Sequence, residues 1–294
     1  MAKAPERITV RKTYKLFIGG AFPRSESGRY TVARDDKGAP VANVCRASRK
    51  DLRDAVVAAR KAQEGWAKRT AFNRGQILYR MAEMLESRSA VFEAALTAAT
   101  GLSAKAAEGE VGAAVDRLVW YAGWADKFPQ FMGTTNPVAS AHFNFTFPEA
   151  TGVVVAFASE GSALLGLVSA IAPVIVSGNS VVVVVSGPAP TVAMELAEVL
   201  ATSDLPGGVV NILTGLRDEL APHAARHMDV DGILCVGADD ATRKLIGVEA
   251  AESVKRVHFE DDGDLSHWHD EARQSPYLIV PFVELKTAWH PMGM

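Results

Sequence analysis

Between residues 152 and 260, short apolar runs alternate with segments of helical period. The pattern predicts strands at Val153–Phe157, Ser180–Val185, Val209–Leu213, Gly232–Val236 and Val254–Phe259, and helices at Ala163–Val176, Thr191–Ala201, Glu219–His227 and Ala241–Glu252. Continuously apolar strands that alternate with helices indicate a parallel sheet covered on both faces. We therefore predict a doubly wound α/β unit over residues 151–260, a type that often holds a nucleotide at the carboxyl ends of its strands.

The residues before this unit predict a layer of short strands and helices over 14–127. Tyr14–Ile18 and Val41–Cys45 are β-prone, and Ser48 with Asp51 has the spacing of a helix-capping box. Three apolar stripes at helical spacing follow, and we interpret them as core-facing helices. Within 140–150, polar and aromatic residues alternate through His142–Phe147, which is typical of a half-buried strand or hairpin.

The residues after the unit change character twice. Residues 261–276 are polar and acidic, so we predict a linker. Residues 277–294 turn apolar and β-prone again, and Pro281 within them predicts an edge strand or a bulge. Because a polar linker separates this late strand from the main sheet, we expect it to pair elsewhere, a second chain included.

Composition excludes several function classes. The net charge is −3 and no block of basic residues occurs, so nothing favours nucleic acid or an anionic membrane as a partner. The longest apolar stretches are shorter than a membrane span, and Met1–Thr13 lacks the apolar core of a signal peptide. The sequence has two cysteines, Cys45 and Cys235, which lie far apart. Two cysteines do not make the framework of a disulfide-rich protein, and this favours a reducing cytoplasm.

Motifs that carry chemistry are few. Neither a G-x-G-x-x-G fingerprint nor a phosphate-binding P-loop occurs, and neither cysteine has an activating base near it in sequence. The turn Ala158–Ser162 offers backbone N–H groups at a helix start, which is a weak signal for an anion site. His267 and His269 stand among aspartates but lack a third ligand at a telling spacing, so we interpret them as a solvated loop and predict no metal.

A set of longer motifs resembles one known family. They are Tyr14–Gly20, Ala47–Trp66, Arg74–Leu78, Gly152–Val155, Ser177–Val182 and Leu205–Gly215. Together they resemble the aldehyde dehydrogenase family over residues 14–260, most specifically at Leu205–Gly215. Pro281–Trp289 is similar to the C-terminal oligomerisation strand of that family. The likeness extends to the degenerate second module of the tandem, family-16 type of aldehyde dehydrogenase.

The resemblance implies both a fold and the loss of one domain. The fold is an aldehyde-dehydrogenase-like α/β fold, in which a Rossmann-type doubly wound parallel sheet carries an N-terminal helical layer and a β oligomerisation element. The implied cofactor-domain-like unit spans residues 1–260, with an oligomerisation hairpin at 140–150. The catalytic domain is missing, and residues 261–276 replace it.

Departures from the family's site motifs bear more directly on the predicted activity than the matches do. Gly161 stands where the family has the asparagine that holds the oxyanion, and one such donor stabilises the transition state by about 3 kcal/mol. Glu260 aligns with the family's general base, but the nucleophilic cysteine lies in the missing domain, so no residue is predicted to be catalytic. The positions that match the cofactor motifs are degenerate: Ser159, Val184, Ser186, Gly187, Gly237 and Ala238.

We therefore expect no NAD(P) binding or weak binding, and a non-catalytic structural or regulatory subunit. Its partner would be an active aldehyde dehydrogenase subunit or a second copy of itself. The predicted interface residues are Phe143, Phe145, Phe147, Ile279, Phe282, Leu285 and Trp289. Deletion of Tyr277–Met294 should then abolish assembly. The alternative is an NAD(P)-binding oxidoreductase that acts on aldehydes with residual or partner-dependent activity.

Overall fold

A computed structural model describes residues 10–293 of the chain. Most of the N-terminal segment used in the signal-peptide prediction lies outside the described residues. The strands are β1 Thr13–Tyr14, β2 Tyr30–Arg34, β3 Pro40–Cys45, β4 Thr134–Asn136, β5 His142–Ala150, β6 Val153–Phe157, β7 Ser180–Val185, β8 Val210–Thr214, β9 Gly232–Val236, β10 Arg256–Glu260 and β11 Val283–Pro291. The helices are α1 Arg49–Ala67, α2 Ala71–Glu86, α3 Ser89–Thr100, α4 Ala104–Trp124, α5 Phe128–Met132, α6 Leu165–Val176, α7 Pro190–Leu200, α8 Arg217–Arg226, α9 Asp240–Ala251 and α10 Leu265–His269.

The central sheet has the predicted doubly wound form. Its strands are all parallel, in the order β10-β9-β6-β7-β8, so the chain switches direction across the sheet between β6 and β9. Side chains of α6 and α7 pack in the core on one face, and those of α1 and α8 in the core on the other. β6, β7, β8 and β9 are buried throughout, which is why their sequences are continuously apolar.

The N-terminal layer agrees in part with its prediction. The capping box at Ser48 and Asp51 is present and starts α1. The predicted strand Tyr14–Ile18 is wrong for most of its length. Only Thr13–Tyr14 belongs to a strand, because the chain folds back at Gly19 and Gly20, which both have positive φ. α3 was not predicted, since Phe92 and Leu96 are its only buried residues and leave a weak stripe.

A second sheet, in the order β11-β5-β4, is antiparallel. The late strand β11 thus pairs with β5 of the same chain, along an edge as predicted. It begins only at Val283. Pro281 lies in a 3₁₀ turn before it and not inside a strand, because the chain bends into the core at that point.

Residues 261–276 are not a free linker. They form the short helix α10, a 3₁₀ turn at Glu271–Arg273 and the first residue of a second at Pro276–Leu278, and Trp268 is only 1% exposed. The prediction that Ile279 and Phe282 face a partner is also wrong, because both are packed in the chain's own core at 0% and 2% exposure. Over the part of the chain that the structure describes, no helix is long and apolar enough to cross a membrane.

Candidate functional site

The candidate site lies at the carboxyl ends of β6 and β9. In open α/β sheets, ligands bind in the crevice where the strand order reverses, and here that crevice lies between these two strands. The turn Ala158–Ser162 follows β6 and leads into α6. Its backbone N–H groups are of the kind that hold an anion.

A carboxylate of the chain itself takes up those donors. The Ser159 hydroxyl donates to Asp262 Oδ1 at 2.6 Å, and the backbone N–H groups of Glu160 and Gly161 donate to Asp262 Oδ2 at 2.8 and 3.2 Å. The indole Nε1 of Trp268 donates to Oδ1 at 3.2 Å. Burial raises the pKa of Asp262, but these hydrogen bonds outweigh burial and the net direction is down. Asp262 therefore sits as an anion on the turn.

Glycine at two positions lets this carboxylate approach. A Cβ on Gly161 would lie 1.9 Å from the carbonyl oxygen of Gly263, so a side chain there would force the backbone of that segment to shift. Gly237, at the end of β9, has a φ of +64°, and a Cβ there would lie 2.7 Å from Cβ of Asp262. The oxyanion asparagine that the resemblance predicts for position 161 would not fit beside residues 261–264 as they lie.

Arg217, the first residue of α8, spans the crevice itself. Its guanidinium donates to the carbonyl of Gly237 at 3.0 Å and to the carbonyl of Ala158 at 3.2 Å, so it ties the ends of β9 and β6 together. The Glu160 carboxylate lies 3.7 Å from the same guanidinium and accepts a hydrogen bond from the Ser186 hydroxyl at 3.0 Å. Side chains of the chain thus bridge the ends of β6 and β9.

Segment 261–274 is fastened to the helical layer by a second arginine. Arg117 of α4 is 3% exposed, and burial lowers its pKa. It donates to the carbonyl oxygens of Trp268 and Arg273 at 2.9 and 2.7 Å, and to the Ser169 hydroxyl at 2.6 Å. Because this buried guanidinium donates to two backbone carbonyls of the segment, the segment is an ordered part of the fold.

Glu260, which the resemblance predicts to match the family's general base, is engaged in contacts within the chain as well. Its carboxylate lies 3.0 Å from Arg273 Nη1 and 3.1 Å from His258 Nε2, and its side chain is 13% exposed. A general base has to reach the proton that it removes. Here an ion pair occupies that carboxylate.

The structure brings most of the predicted cofactor residues together. Ser159, Ser186, Gly187 and Gly237 lie around the turn Ala158–Ser162 and the Arg217 guanidinium. Ala238 adjoins Gly237 and accepts a hydrogen bond from Arg243. Val184 does not belong with them: its side chain is fully buried in the core of the sheet, so it has no surface for a ligand. A cavity of 340 Å³ remains beside the turn, lined in part by Glu110, Leu102 and Pro188.

Both cysteines are buried. Burial raises the pKa of Cys235 to about 11, so its thiol is protonated at neutral pH and is a poor nucleophile. In residues 10–293, no group of His, Cys, Asp and Glu side chains is arranged to hold a metal ion.

Sequence reasoning missed Asp262, Arg217 and Arg117. Asp262 lies in the segment 261–276 that was predicted to be a linker, and Arg217 and Arg117 lie on helices where a charged residue usually faces solvent. Most of their partners are 20 to 157 residues away along the chain, so no local pattern signals these contacts. The weak anion signal of the Ala158–Ser162 turn was the one available hint.

A parallel sheet of this order, with an anion-binding turn after its first strand, defines a doubly wound protein of the nucleotide-binding type. A profile of the aldehyde dehydrogenase family matches residues 22–267. The chain belongs to the aldehyde dehydrogenase family.

Individual relatives agree with that assignment. An aldehyde dehydrogenase of Aspergillus niger is 30% identical over 261 residues, which is 88% of this chain and 52% of that protein. Cytosolic 10-formyltetrahydrofolate dehydrogenase of Mus musculus is 31% identical over 99% of this chain and 32% of its own length. The structure of the Bacillus cereus aldehyde dehydrogenase in complex with NAD⁺ has a TM-score of 0.80 at 26% identity, covering 85% of this chain and 51% of that chain. The chain thus spans about half the length of the Aspergillus niger and Bacillus cereus proteins and about a third of the Mus musculus protein, and it lacks the catalytic domain.

Proposed function

We propose that this chain is a non-catalytic member of the aldehyde dehydrogenase family that acts as a structural subunit. It assembles with an active aldehyde dehydrogenase or with a second copy of itself through the sheet β11-β5-β4. The observation that carries the proposal is the Asp262 carboxylate, which takes the donors of the turn Ala158–Ser162. Because the Asp262 carboxylate occupies the anion-binding turn, the turn suits a structural role and not the binding and release of a cofactor.

The chemistry of aldehyde oxidation supports the same conclusion. In the family, a cysteine thiolate attacks the aldehyde, and that step requires an accessible thiol of low pKa. Cys45 and Cys235 are both buried, and the pKa of Cys235 is raised. Glu260 is held by Arg273 and His258 and has no thiol beside it to activate.

The second sheet supports assembly. An antiparallel sheet ordinarily packs one face on the core. In β5, Asn144 is the only buried residue, and the Phe143 ring is 45% exposed. Phe143, Phe145 and Phe147 form a continuous ladder with ring centroids 5.4 and 5.9 Å apart. A half-exposed aromatic ladder on a projecting sheet is typical of an interaction surface.

One observation favours a second candidate, weak NAD(P) binding. The 340 Å³ cavity beside the turn is bordered by Ser159 and Gly187, two of the residues that match the family's cofactor motifs. The related Bacillus cereus enzyme was solved in complex with NAD⁺. A ligand in this cavity would have to lie against Glu160, whose charge opposes a pyrophosphate.

Isothermal titration of the purified chain with NAD⁺ and with NADP⁺, up to millimolar cofactor, decides between the two. We expect no saturable heat and no NADH from aldehyde and NAD⁺, with the Bacillus cereus enzyme as the positive control. The Asp261→Ala variant, which changes an exposed neighbour of Asp262, should behave as the wild type. Saturable binding accompanied by NADH production would refute the proposal, and binding without turnover would favour the second candidate.

A further inference from the structure

A basic cavity lies between α1 and α8, on the face of the central sheet that these helices cover. Its volume is 410 Å³, towards the lower end of the range of about 300–1,000 Å³ that is usual for small-molecule sites. One apolar side chain and five basic ones line it: Leu52, Arg49, Arg53, His223, Arg226 and His227. No carboxylate belongs to this lining, although the chain as a whole has a net charge of −3.

Ion pairs join the two helices at both ends of the cavity. Arg46, just before α1, lies 2.7 Å from Glu219 near the start of α8. Arg60, in α1, lies 2.7 Å from Asp229, just beyond the end of α8. The two helices therefore run in the same direction and are held side by side. The positive charge is neutralised at the two ends of the groove and is concentrated between them.

The three arginines of the cavity keep hydrogen-bond donors for a ligand. Within residues 10–293, Arg49 makes no ion pair and no side-chain hydrogen bond. Arg53 and Arg226 bind Asp54 and Glu249 through Nε and Nη2, and in the same part of the chain Nη1 of each has no partner. A guanidinium is always charged, and its planar set of N–H groups matches the oxygens of phosphate. The cavity is thus suited to an anion that accepts several hydrogen bonds.

The stability of the helices does not explain this arrangement. Arg49 is the first residue of α1, where a cation opposes the helix macrodipole. Burial lowers the pKa of His227, and Asp229 opposes that shift. Lys255 and Arg53 then lower the pKa of His227 further, because their positive charges disfavour its protonation. An anion in the cavity would offset both unfavourable effects.

We propose that this cavity binds a dianionic phosphate group, carried by a small phosphate monoester or present as free phosphate. A phosphate monoester has close to two negative charges at neutral pH and three strong acceptor oxygens. A carboxylate has one charge and two oxygens, so it would neutralise less of the charge of Arg49, Arg53 and Arg226. His223 adds an imidazole donor at the wall of the cavity.

This site goes beyond the proposed structural role and does not depend on it. None of the residues that line the cavity lies in the turn Ala158–Ser162 or in segment 261–274. The cavity lies beside α8, whose first residue, Arg217, borders the crevice, whereas His223 and Arg226 belong to the last turns of that helix. Occupation of the turn by Asp262 therefore leaves this cavity open to a ligand.

Isothermal titration of the full chain with inorganic phosphate and with glycerol 3-phosphate tests the proposal. At constant ionic strength and about pH 7.5, where these groups are mostly dianionic, we expect one site per chain and a Kd below about 1 mM. Glycerol should not bind. Tighter binding of the ester would identify a monoester as the ligand, and binding of inorganic phosphate at least as tight would identify free phosphate. Absence of saturable heat with both probes would overturn the proposal.

Substitution of Arg49 separates this site from a general attraction of phosphate to basic surface. Arg49→Gln removes a charge-assisted hydrogen bond, so the affinity should fall at least about tenfold. Arg80→Gln is the matched control with the same change in net charge: Arg80 is an exposed residue of α2, pairs with Glu83 at 3.0 Å and lies outside the cavity. Its affinity should equal that of the wild type. An Arg49→Gln variant that binds as tightly as the wild type would contradict the proposal.

Folding of the variant and the cofactor titrations are controlled separately. Arg49→Gln removes a cation from a helix N-terminus, so its urea transition should show at least the stability of the wild type. NADP⁺ also carries a phosphate monoester, so its titration is repeated with Arg49→Gln. Heat that disappears in this variant belongs to the cavity, and heat that remains belongs to the crevice. A failure of phosphate to bind would leave the result of the NAD⁺ titration standing.

Discussion

Gly161 links two changes that the sequence presents as separate. The resemblance predicts that it stands in place of the family's oxyanion asparagine, and its missing side chain is what lets the Gly263 backbone approach the turn. Asp262 can reach the Glu160 and Gly161 N–H groups only because of that approach. The predicted loss of the oxyanion donor and the predicted replacement of the catalytic domain by residues 261–276 are therefore coupled through the contact of Gly161 with Gly263. Restoring the asparagine alone would displace the segment before it restored any chemistry.

Substitution of Gly161 by alanine tests this coupling. Because the new Cβ would lie 1.9 Å from a backbone oxygen, we expect Gly161→Ala to destabilise the chain by about 2 kcal/mol through overpacking. Gly109→Ala is the matched control: it lies in α4 with no atom within 4 Å of the new Cβ, and alanine should stabilise that helix by about 0.5–1 kcal/mol. Urea unfolding of both variants should give changes of opposite sign. A Gly161→Ala variant as stable as the wild type would mean that segment 261–274 does not lie on the turn.

At the scale of elements, segment 261–274 should respond to pH through Asp262. Its pKa is depressed in the folded chain below the usual value of about 3.9 for aspartate. A depressed pKa contributes stability that is present above the unfolded pKa and is lost as pH falls through the folded pKa. We expect Asp262→Asn to cost about 1 kcal/mol at pH 7, a figure kept small because the carboxylate is partly exposed. The difference from the wild type should shrink below about pH 4.

Urea unfolding of the wild type and Asp262→Asn at neutral and acidic pH measures that difference. Asp261→Asn is the control, because the Asp261 side chain is 82% exposed and pairs only with Arg243. It should show a small effect with little pH dependence. An Asp262→Asn penalty that grew on acidification would contradict the role given to this carboxylate.

The sequence predicts elements well where packing is local in the chain. The strands and helices of 151–260 carry their own apolar pattern, and their ends shift by about two residues, as at Leu165 and Arg256. It fails where long-range contacts decide. Segment 261–274 is polar, and what orders it is Arg117, more than 150 residues earlier. In the same way, the apolar character of Ile279 and Phe282 predicts that their side chains are buried. It does not predict whether they pack against the chain itself or against a partner.

For the whole molecule, the C-terminal region divides into two parts with different roles. Ile279, Phe282 and Val283 belong to the same core cluster as α6 and the central sheet, and Asn179 binds the carbonyl of Phe282 at 2.7 Å. The rest of β11, from Glu284 on, is largely exposed and contacts mainly β5. Removal of residues 277–294 therefore takes away part of the fold together with the assembly strand, so loss of assembly in that variant would not by itself identify an interface.

Two deletions separate those roles. Removing 277–294 strips three buried apolar side chains, each contributing about 1.5–3 kcal/mol, from a chain whose total stability is about 5–15 kcal/mol. We expect that variant to lose its near-ultraviolet circular dichroism and its cooperative urea transition. Removing only 285–294 leaves Ile279, Phe282 and Val283 in place, so it should fold cooperatively and sediment as a monomer. Equal folding of both variants would show that the core does not need Ile279 and Phe282, and unfolding of both would make β11 part of the fold and not a separate assembly strand.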